Sequence, residues 1–258
     1  MEILIFIVGL IVGSFLNVCI YRIPRKLSII KPASYCPSCG NSIKPWHNIP
    51  VLSFLFLKGK CAYCGTKISL RYPVVELLNG ILYVLAYLNF SLLFLPFVLI
   101  FISALIVISF IDLDFQIIPD QISIPLIFLG IILSFFSGPQ KIVDFLGCPS
   151  HNSLNLAQGI KDSLIGIVVG GGSLLIVSLI SKGGMGGGDV KLNAAVGAFL
   201  GWKSALLTIF IGSLAGSIIG ILILKKTGNR KIPFGPFLSL GALICLFFGE
   251  RLLNWYFG

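Results

Sequence analysis

The chain has 258 residues, of which 57% are hydrophobic and only 11% charged, and its mean hydropathy is +1.03. It is too apolar and too poor in charge for an ordinary water-soluble domain, which places it in a bilayer. Its net charge of +10 sits in loops beside apolar runs, where lysine and arginine serve topology and contact with anionic lipid, so a nucleic-acid partner is not expected.

A hydrocarbon core of about 30 Å needs roughly 20 apolar residues per helix. Eight apolar runs meet or approach that length: residues 3–20, 73–89, 92–111, 122–136, 163–180, 190–200, 204–224 and 236–248, the last open to extension into RLLNWYFG. The sixth is too short to cross alone and is kept because the charge pattern needs an even number of crossings. The first run has Glu2 before it and its positive charge after it, the reverse of a cleavable signal peptide, so it is expected to stay as a helix.

Between the first two runs lie Arg22, Arg25, Lys26, Lys31, Lys44, Lys58, Lys60, Lys67 and Arg71, with no acidic residue before Glu76. By the positive-inside rule this loop is cytoplasmic and the N-terminus lies outside. Counting crossings forward puts Lys182, Lys191, Lys225, Lys226, Arg230 and Lys231 on the cytoplasmic side too, and the polar stretch 137–162 outside. The expected fold is an all-α polytopic membrane protein of about eight transmembrane helices. Its divisions are a first helix (1–20), a cytoplasmic basic loop (21–72) and a helical membrane core (73–258).

The basic loop carries CPSCG and CAYCG, with Cys36, Cys39, Cys61 and Cys64 in two CxxC pairs separated by 21 residues. Two such knuckles can place four thiolates tetrahedrally around one zinc ion, and a filled shell makes the metal structural. Disulfides do not suit a reducing cytoplasm; an iron site is the other reading of the same spacing. Cys19, Cys148 and Cys245 lack any such spacing and read as incidental, two in helices and one outside.

Glycines recur four apart at 9 and 13, at 166 and 170, at 197 and 201, and at 212, 216 and 220, which suits closely packed membrane helices. Gly13, Asn17 and Tyr21 share a face of the first helix with Ser14 beside them, and read as an interhelical hydrogen-bonding seam.

Four of the nine acidic residues, Asp112, Asp114, Asp120 and Asp189, fall where the topology gathers cytoplasmic helix ends. Ionisable groups near membrane depth are expensive and point to function. Two carboxylates from different helices in a low-dielectric setting cannot both ionise easily and share a proton, as aspartic peptide hydrolysis requires. The glycines of SKGGMGGGDVKL would admit a substrate backbone beside Asp189; a plain loop with a helix N-cap is the structural alternative.

The segments GSFLNVCIYRIP (13–24), CPSCG with CAYCG, NIPVLSFLFLKGKC (48–61), RYPVVELL (71–78), IDLDFQIIPD (111–120) and GMGGGDVKL (184–192) occur in one order along nearly the whole chain. In this the sequence resembles the prepilin peptidases, the type IV leader peptidase group of GxGD membrane aspartic proteases. The resemblance implies cleavage of a basic leader from type IV pilin or pseudopilin precursors at the cytoplasmic membrane face, with Asp112 and Asp189 catalytic. Asp120 and Asp114 match recurrent family positions and would support the site; Lys191 is read as marking the membrane boundary rather than stabilising nearby charge. Many members also methylate the new N-terminus with S-adenosylmethionine, and this chain retains the cysteine-bearing loop that goes with them. Here HNIP replaces the usual DNIP, so His47 stands where Asp is expected, and His47 and Glu76 are the methyl-transfer or cofactor candidates. The competing functions are a peptidase without methyl transfer, an ion-coupled transporter, and a non-enzymatic zinc-bearing assembly scaffold.

Overall fold

The computed structural model describes residues 1–137, 157, 159–181, 185–227 and 232–257. Cys148, Lys182, Gly183, Gly184, Arg230 and Lys231, all used in the sequence reading, lie outside the described residues, as does most of the stretch 137–162. Helix α1 (Glu2–Arg22) begins with an acid and ends with a base, each matching the helix dipole at its end, and it stops two residues before Pro24. A short helix α2 (Leu52–Phe56) follows the cysteine segment's first half, and α3 (Arg71–Asn89) covers the second apolar run. The remaining helices are α4 (Leu95–Phe115), α5 (Asp120–Ser137), α6 (Ile160–Ile180), α7 (Gly187–Thr227) and α8 (Gly235–Phe257). No strand occurs among the described residues, only isolated bridges.

Seven of the eight apolar runs fall within these helices, and the third, 92–111, begins three residues before α4. Among the described residues, four helical stretches are long and apolar enough to cross a membrane: Glu2–Arg22, Leu95–Phe115, Ile160–Ile180 and Gly187–Lys225; Asp120–Phe136 and Gly235–Gly249 are shorter apolar helices. The sixth and seventh runs are two arms of α7, which breaks at Gly201, where φ is 78° and ψ 171°. A side chain at 201 would also meet the Asp162 carboxylate, with Cβ 2.5 Å from Oδ2. The third run does not end at residue 111. Nothing breaks the helix before Gln116, which caps α4 in a left-handed conformation (φ 55°, ψ 40°), so Asp112 and Asp114 both lie in its last turn.

The described residues divide into two compact units, Met1–Leu88 and Asn89–Gly258. In the first unit α3 packs with α1. The contact is backbone to backbone: a Cβ on Gly9 would lie 2.7 Å from the Gly80 Cα, and one on Gly13 2.7 Å from the Glu76 Cα. Asn79 Nδ2 donates to the Gly9 carbonyl at 2.7 Å, and Asn17 Nδ2 to the carbonyls of Gly13 and Tyr72 at 3.3 and 3.1 Å. Asn17 thus takes part in the expected seam. Buried Arg22 ties the following loop to α1 through the carbonyls of Ser28 and Pro32.

In the second unit the first arm of α7 is the centre of the packing. Residues 192–200 are buried without interruption. Gly197 meets Gly166 of α6 backbone to backbone, Asn193 donates to the Gly170 carbonyl at 2.8 Å, and Gly130 of α5 rests on Ala198. Phe199 stacks on Phe101 of α4 with ring centroids 4.4 Å apart. On the second arm, Gly212 abuts Phe237 and Thr208 abuts Gly241, which brings α8 into contact.

Candidate active site and metal centre

Asp112 and Asp189 lie near each other in the second unit. Both are buried, and Asp189 feels the charge of Asp112. Asp112 reaches this position from the last turn of α4. Its Oδ2 accepts the backbone N–H of Gly235, the first residue of α8, at 2.9 Å. A Cβ on Gly235 would stand 2.8 Å from that oxygen, so a glycine is what lets the chain approach. Asp189 is the third residue of α7 and not its N-cap; its N–H bonds the Gly186 carbonyl at 3.1 Å. Its Oδ1 is buried without a hydrogen-bond partner among the described residues.

Ile118, in the loop between α4 and α5, closes the group. A Cβ on Gly188 would be 2.7 Å from the Ile118 Cβ, and one on Gly235 3.2 Å from its Cδ1. One isoleucine therefore packs against a neighbour of each carboxylate. Neither Gly235 nor Ile118 was singled out by sequence reasoning: GPF reads only as a helix start, and Ile118 as one more apolar residue.

The other two acids are placed differently. Asp114, two residues from Asp112, is turned to the opposite side of α4 and exposed. Asp120 opens α5 and accepts Lys191 Nζ at 2.7 and 2.8 Å, an exposed pair joining the first turns of α5 and α7. Lys191, two residues after Asp189, thus has an acidic partner on α5.

In the first unit the two cysteine knuckles have matching backbones. Cys36 N–H bonds the Asn41 carbonyl (2.9 Å) and Gly40 N–H the Cys36 carbonyl (2.8 Å); Cys61 with Thr66, and Gly65 with Cys61, repeat this at 2.8 and 3.0 Å. Gly40 and Gly65 both have φ of 71°, the left-handed turn that CxxCG needs. The four Sγ atoms lie within 4.8 Å of one another, so the cluster could hold a metal ion. A tetrahedron with about 2.3 Å metal–sulfur bonds has sulfurs about 3.8 Å apart, and Cys36 and Cys64 are separated by 3.8 Å. The Thr66 hydroxyl and N–H hold the Cys64 thiol down at about 6, and the N–H groups of Cys39 and Ser38 lower Cys36. Both effects favour thiolate, the form a metal binds, at these two cysteines, whereas at Cys39 the Asn41 N–H is outweighed by burial and the Cys64 and Cys36 sulfurs, which push it up to about 11.

Glu76 is buried and accepts the N–H of Val51, at the start of α2, at 2.7 Å, with the Ser14 hydroxyl as a second donor. Its partner is thus the start of another helix and not of its own. His47 makes edge contacts with Trp46 and Tyr63, the latter inside the CAYC knuckle, and its Nδ1 is buried without a partner among the described residues. A cavity in this unit is lined by Glu76 together with Pro45 and Asn48, which flank the His47 segment.

Two family models match in succession. The Bacterial Peptidase A24 N-terminal domain covers residues 7–90 and the Type IV leader peptidase family covers residues 99–221. Proteins called prepilin leader peptidase/N-methyltransferase align over almost the whole chain. The one from Neisseria gonorrhoeae is 35% identical over 97% of this chain and 92% of its own length. Those of Pseudomonas aeruginosa and Bacillus subtilis are 34% and 36% identical, over 97% and 98% of this chain and 91% and 96% of their own lengths. The chain belongs to the type IV leader peptidase family. No solved structure matches significantly. Within the family frame, the N-terminal model spans the cysteine quartet, Asn17, His47 and Glu76, and the peptidase model spans all four aspartates and Lys191. Gly235 falls beyond both.

Proposed function

We propose that this protein cleaves the basic leader from type IV pilin-like precursors and then N-methylates the exposed N-terminus. The observation that carries the peptidase half is the buried, mutually interacting pair Asp112 and Asp189, bordered by glycines through which a peptide backbone can approach. The Gly235 N–H stabilises negative charge on Asp112, which activates the attacking water. Asp189, with a buried oxygen that nothing else engages, keeps the shared proton and donates it to the scissile carbonyl. No covalent enzyme intermediate is required. The Asp120–Lys191 pair holds the two helix starts together beside this dyad.

The cysteine quartet takes zinc, which when bound cross-links the two knuckles and leaves no open position for chemistry. For methylation, S-adenosylmethionine would supply the methyl group; the buried Glu76 carboxyl is the candidate to take up the proton released from the amine. His47 supports the knuckle through Tyr63 and stays out of the reaction. The protein sits in the bacterial cytoplasmic membrane with its N-terminus outside and the dyad on the cytoplasmic side, where the leader lies. Mass spectrometry of a processed precursor tests both halves at once. The expected product lacks its leader and carries one added methyl; an intact precursor in the presence of well-inserted enzyme removes the peptidase reading, and an unmethylated product removes the transferase reading.

A further inference from the structure

The segment between the two cysteine knuckles reaches along the flank of α1. Val51, where α2 starts, donates its N–H to Glu76, and the Glu76 Cα lies against Gly13 of α1. Gly13 is seven residues short of Ile20, the end of the first apolar run, which is about 10 Å along the helix; Glu76 is five residues, or about 8 Å, into α3. Because α1 is long and apolar enough to cross a membrane, both measures set the start of α2 beside hydrocarbon rather than beside head groups. Val51 and Leu52 also line one cavity with Leu10 of α1 and Leu77 of α3.

The chemistry of α2 suits that depth. Leu52, Leu55 and Phe56 stand at i, i+3 and i+4, so they share a face, and they are 51%, 63% and 82% exposed. Phe54 instead packs its ring against Gly59. The backbone N–H groups of residues 52, 53, 55 and 57–60 bond carbonyls between Ile49 and Leu57, and the Ser53 hydroxyl donates to the Ile49 carbonyl at 2.7 Å. A segment in hydrocarbon has no water to turn to and must satisfy itself in this way.

The flanks are those of a head-group layer. The chain leaves α2 through exposed Lys58 and Lys60, and it arrives past Trp46, which is exposed with Lys44 Nζ 5.4 Å from its ring centroid. From Arg22 to Arg71 there are nine basic residues and no acidic one, which suits anionic phosphate and repels a basic peptide. We infer that α2 is a re-entrant membrane element, with its Leu52, Leu55 and Phe56 face seated among the acyl chains of the cytoplasmic leaflet and Lys58 and Lys60 on anionic phospholipid head groups. Lysines alone would hold the loop at the surface; the apolar face takes it below. The loop 21–72 is then not aqueous throughout.

The test compares full-length Phe56→Trp with the unaltered protein in phosphatidylglycerol nanodiscs whose acyl chains do or do not carry bromine at mid-chain. The difference in emission between the two proteins isolates the added indole. It should lose at least about half of its emission to the brominated lipid and little to aqueous iodide. Iodide quenching without bromine quenching puts the face in water and overturns the proposal. Protection from both quenchers means that protein covers the face, and overturns it in favour of a protein occupant. Leu55→Trp, on the same face, gives the same reading if Phe56→Trp inserts poorly. In phosphatidylcholine discs with a small brominated fraction, brominated phosphatidylglycerol should quench at least about twice as strongly as brominated phosphatidylcholine. That preference should vanish when Lys58→Gln and Lys60→Gln are added together; its absence beforehand, or its survival afterwards, overturns the head-group contact. No precursor is present and either leaflet gives the same reading, so the outcome is separate from the peptidase, the methyl transfer and the proposed orientation.

Discussion

Glu76 and Asp112 are the same device used in two surroundings. Each is a buried carboxylate near the end of a membrane-facing helix, and each accepts one backbone N–H from the start of another helix, Val51 for one and Gly235 for the other. The difference is the company. Asp112 has a second acid, Asp189, in electrostatic reach, whereas Glu76 has a hydroxyl and an amide in its cavity. A lone buried carboxylate can hold a cation or take one proton. A pair can pass a proton between water, peptide and each other, which hydrolysis needs and binding does not.

The comparison breaks most severely if one member of the pair is neutralised. Asp112→Asn and Asp189→Asn should each lower the cleavage rate by at least roughly a thousandfold, the upper range for general acid–base groups, while membrane insertion and zinc content stay at their original levels. Cleavage near the original rate in either variant removes that residue from the dyad. Gly235→Ala sharpens the comparison by disturbing the N–H contact alone. Its methyl must displace the Asp112 carboxylate, and kcat should drop by about a hundredfold, the scale of a 1 Å misplacement, with KM little altered. An equal rise in KM would mean that the residue shapes substrate binding instead.

On the Glu76 side, Cys61→Ser or Cys64→Ser should reduce bound zinc from about one per chain to a small fraction, as measured by elemental analysis. Methylation should then fall more than cleavage does, because only the first unit contains the knuckles. Comparable losses of both activities would show that the metal organises the whole protein. The smallest effect expected is that of Lys191→Met. An exposed ion pair contributes about 0–1 kcal/mol, so cleavage should slow by no more than about fivefold. A loss as large as that of Asp189→Asn would place Lys191 in the reaction itself.

Much of this was legible in the chain. The cysteine quartet could be read because two CxxCG turns have one geometry whatever surrounds them, and the helices because a bilayer demands length and apolarity. The aspartates could be named from their chemistry, but only the family resemblance sorted them into catalytic and supporting. Asp112 and Asp114 look alike until α4 is seen to continue through both, which turns one inward and the other outward. Gly235 was hidden because a backbone N–H leaves no mark on side-chain chemistry, and Ile118 because one apolar residue among many carries no signal. The pairing of α3 with α1 depends on which glycines meet, and spacing shows only that some will. Asn17 was read as a packing residue; its donor half fits that reading, and its acceptor half stays idle.

The break at Gly201 has a bearing on lipid that the cleavage chemistry does not suggest. The arm of α7 before it, about 14 residues or 21 Å, is too short for the bilayer, but residues 192–200 touch only protein. The arm after it is the one with exposed apolar side chains, among them Phe210, Leu214, Ile218 and Ile221. Changes in membrane thickness therefore act on the second arm, whereas Asp189 is carried by the buried first arm. Leader cleavage should keep nearly the same rate in bilayers of short-chain and long-chain lipids, a tolerance that would suit one enzyme to membranes whose composition shifts with growth temperature.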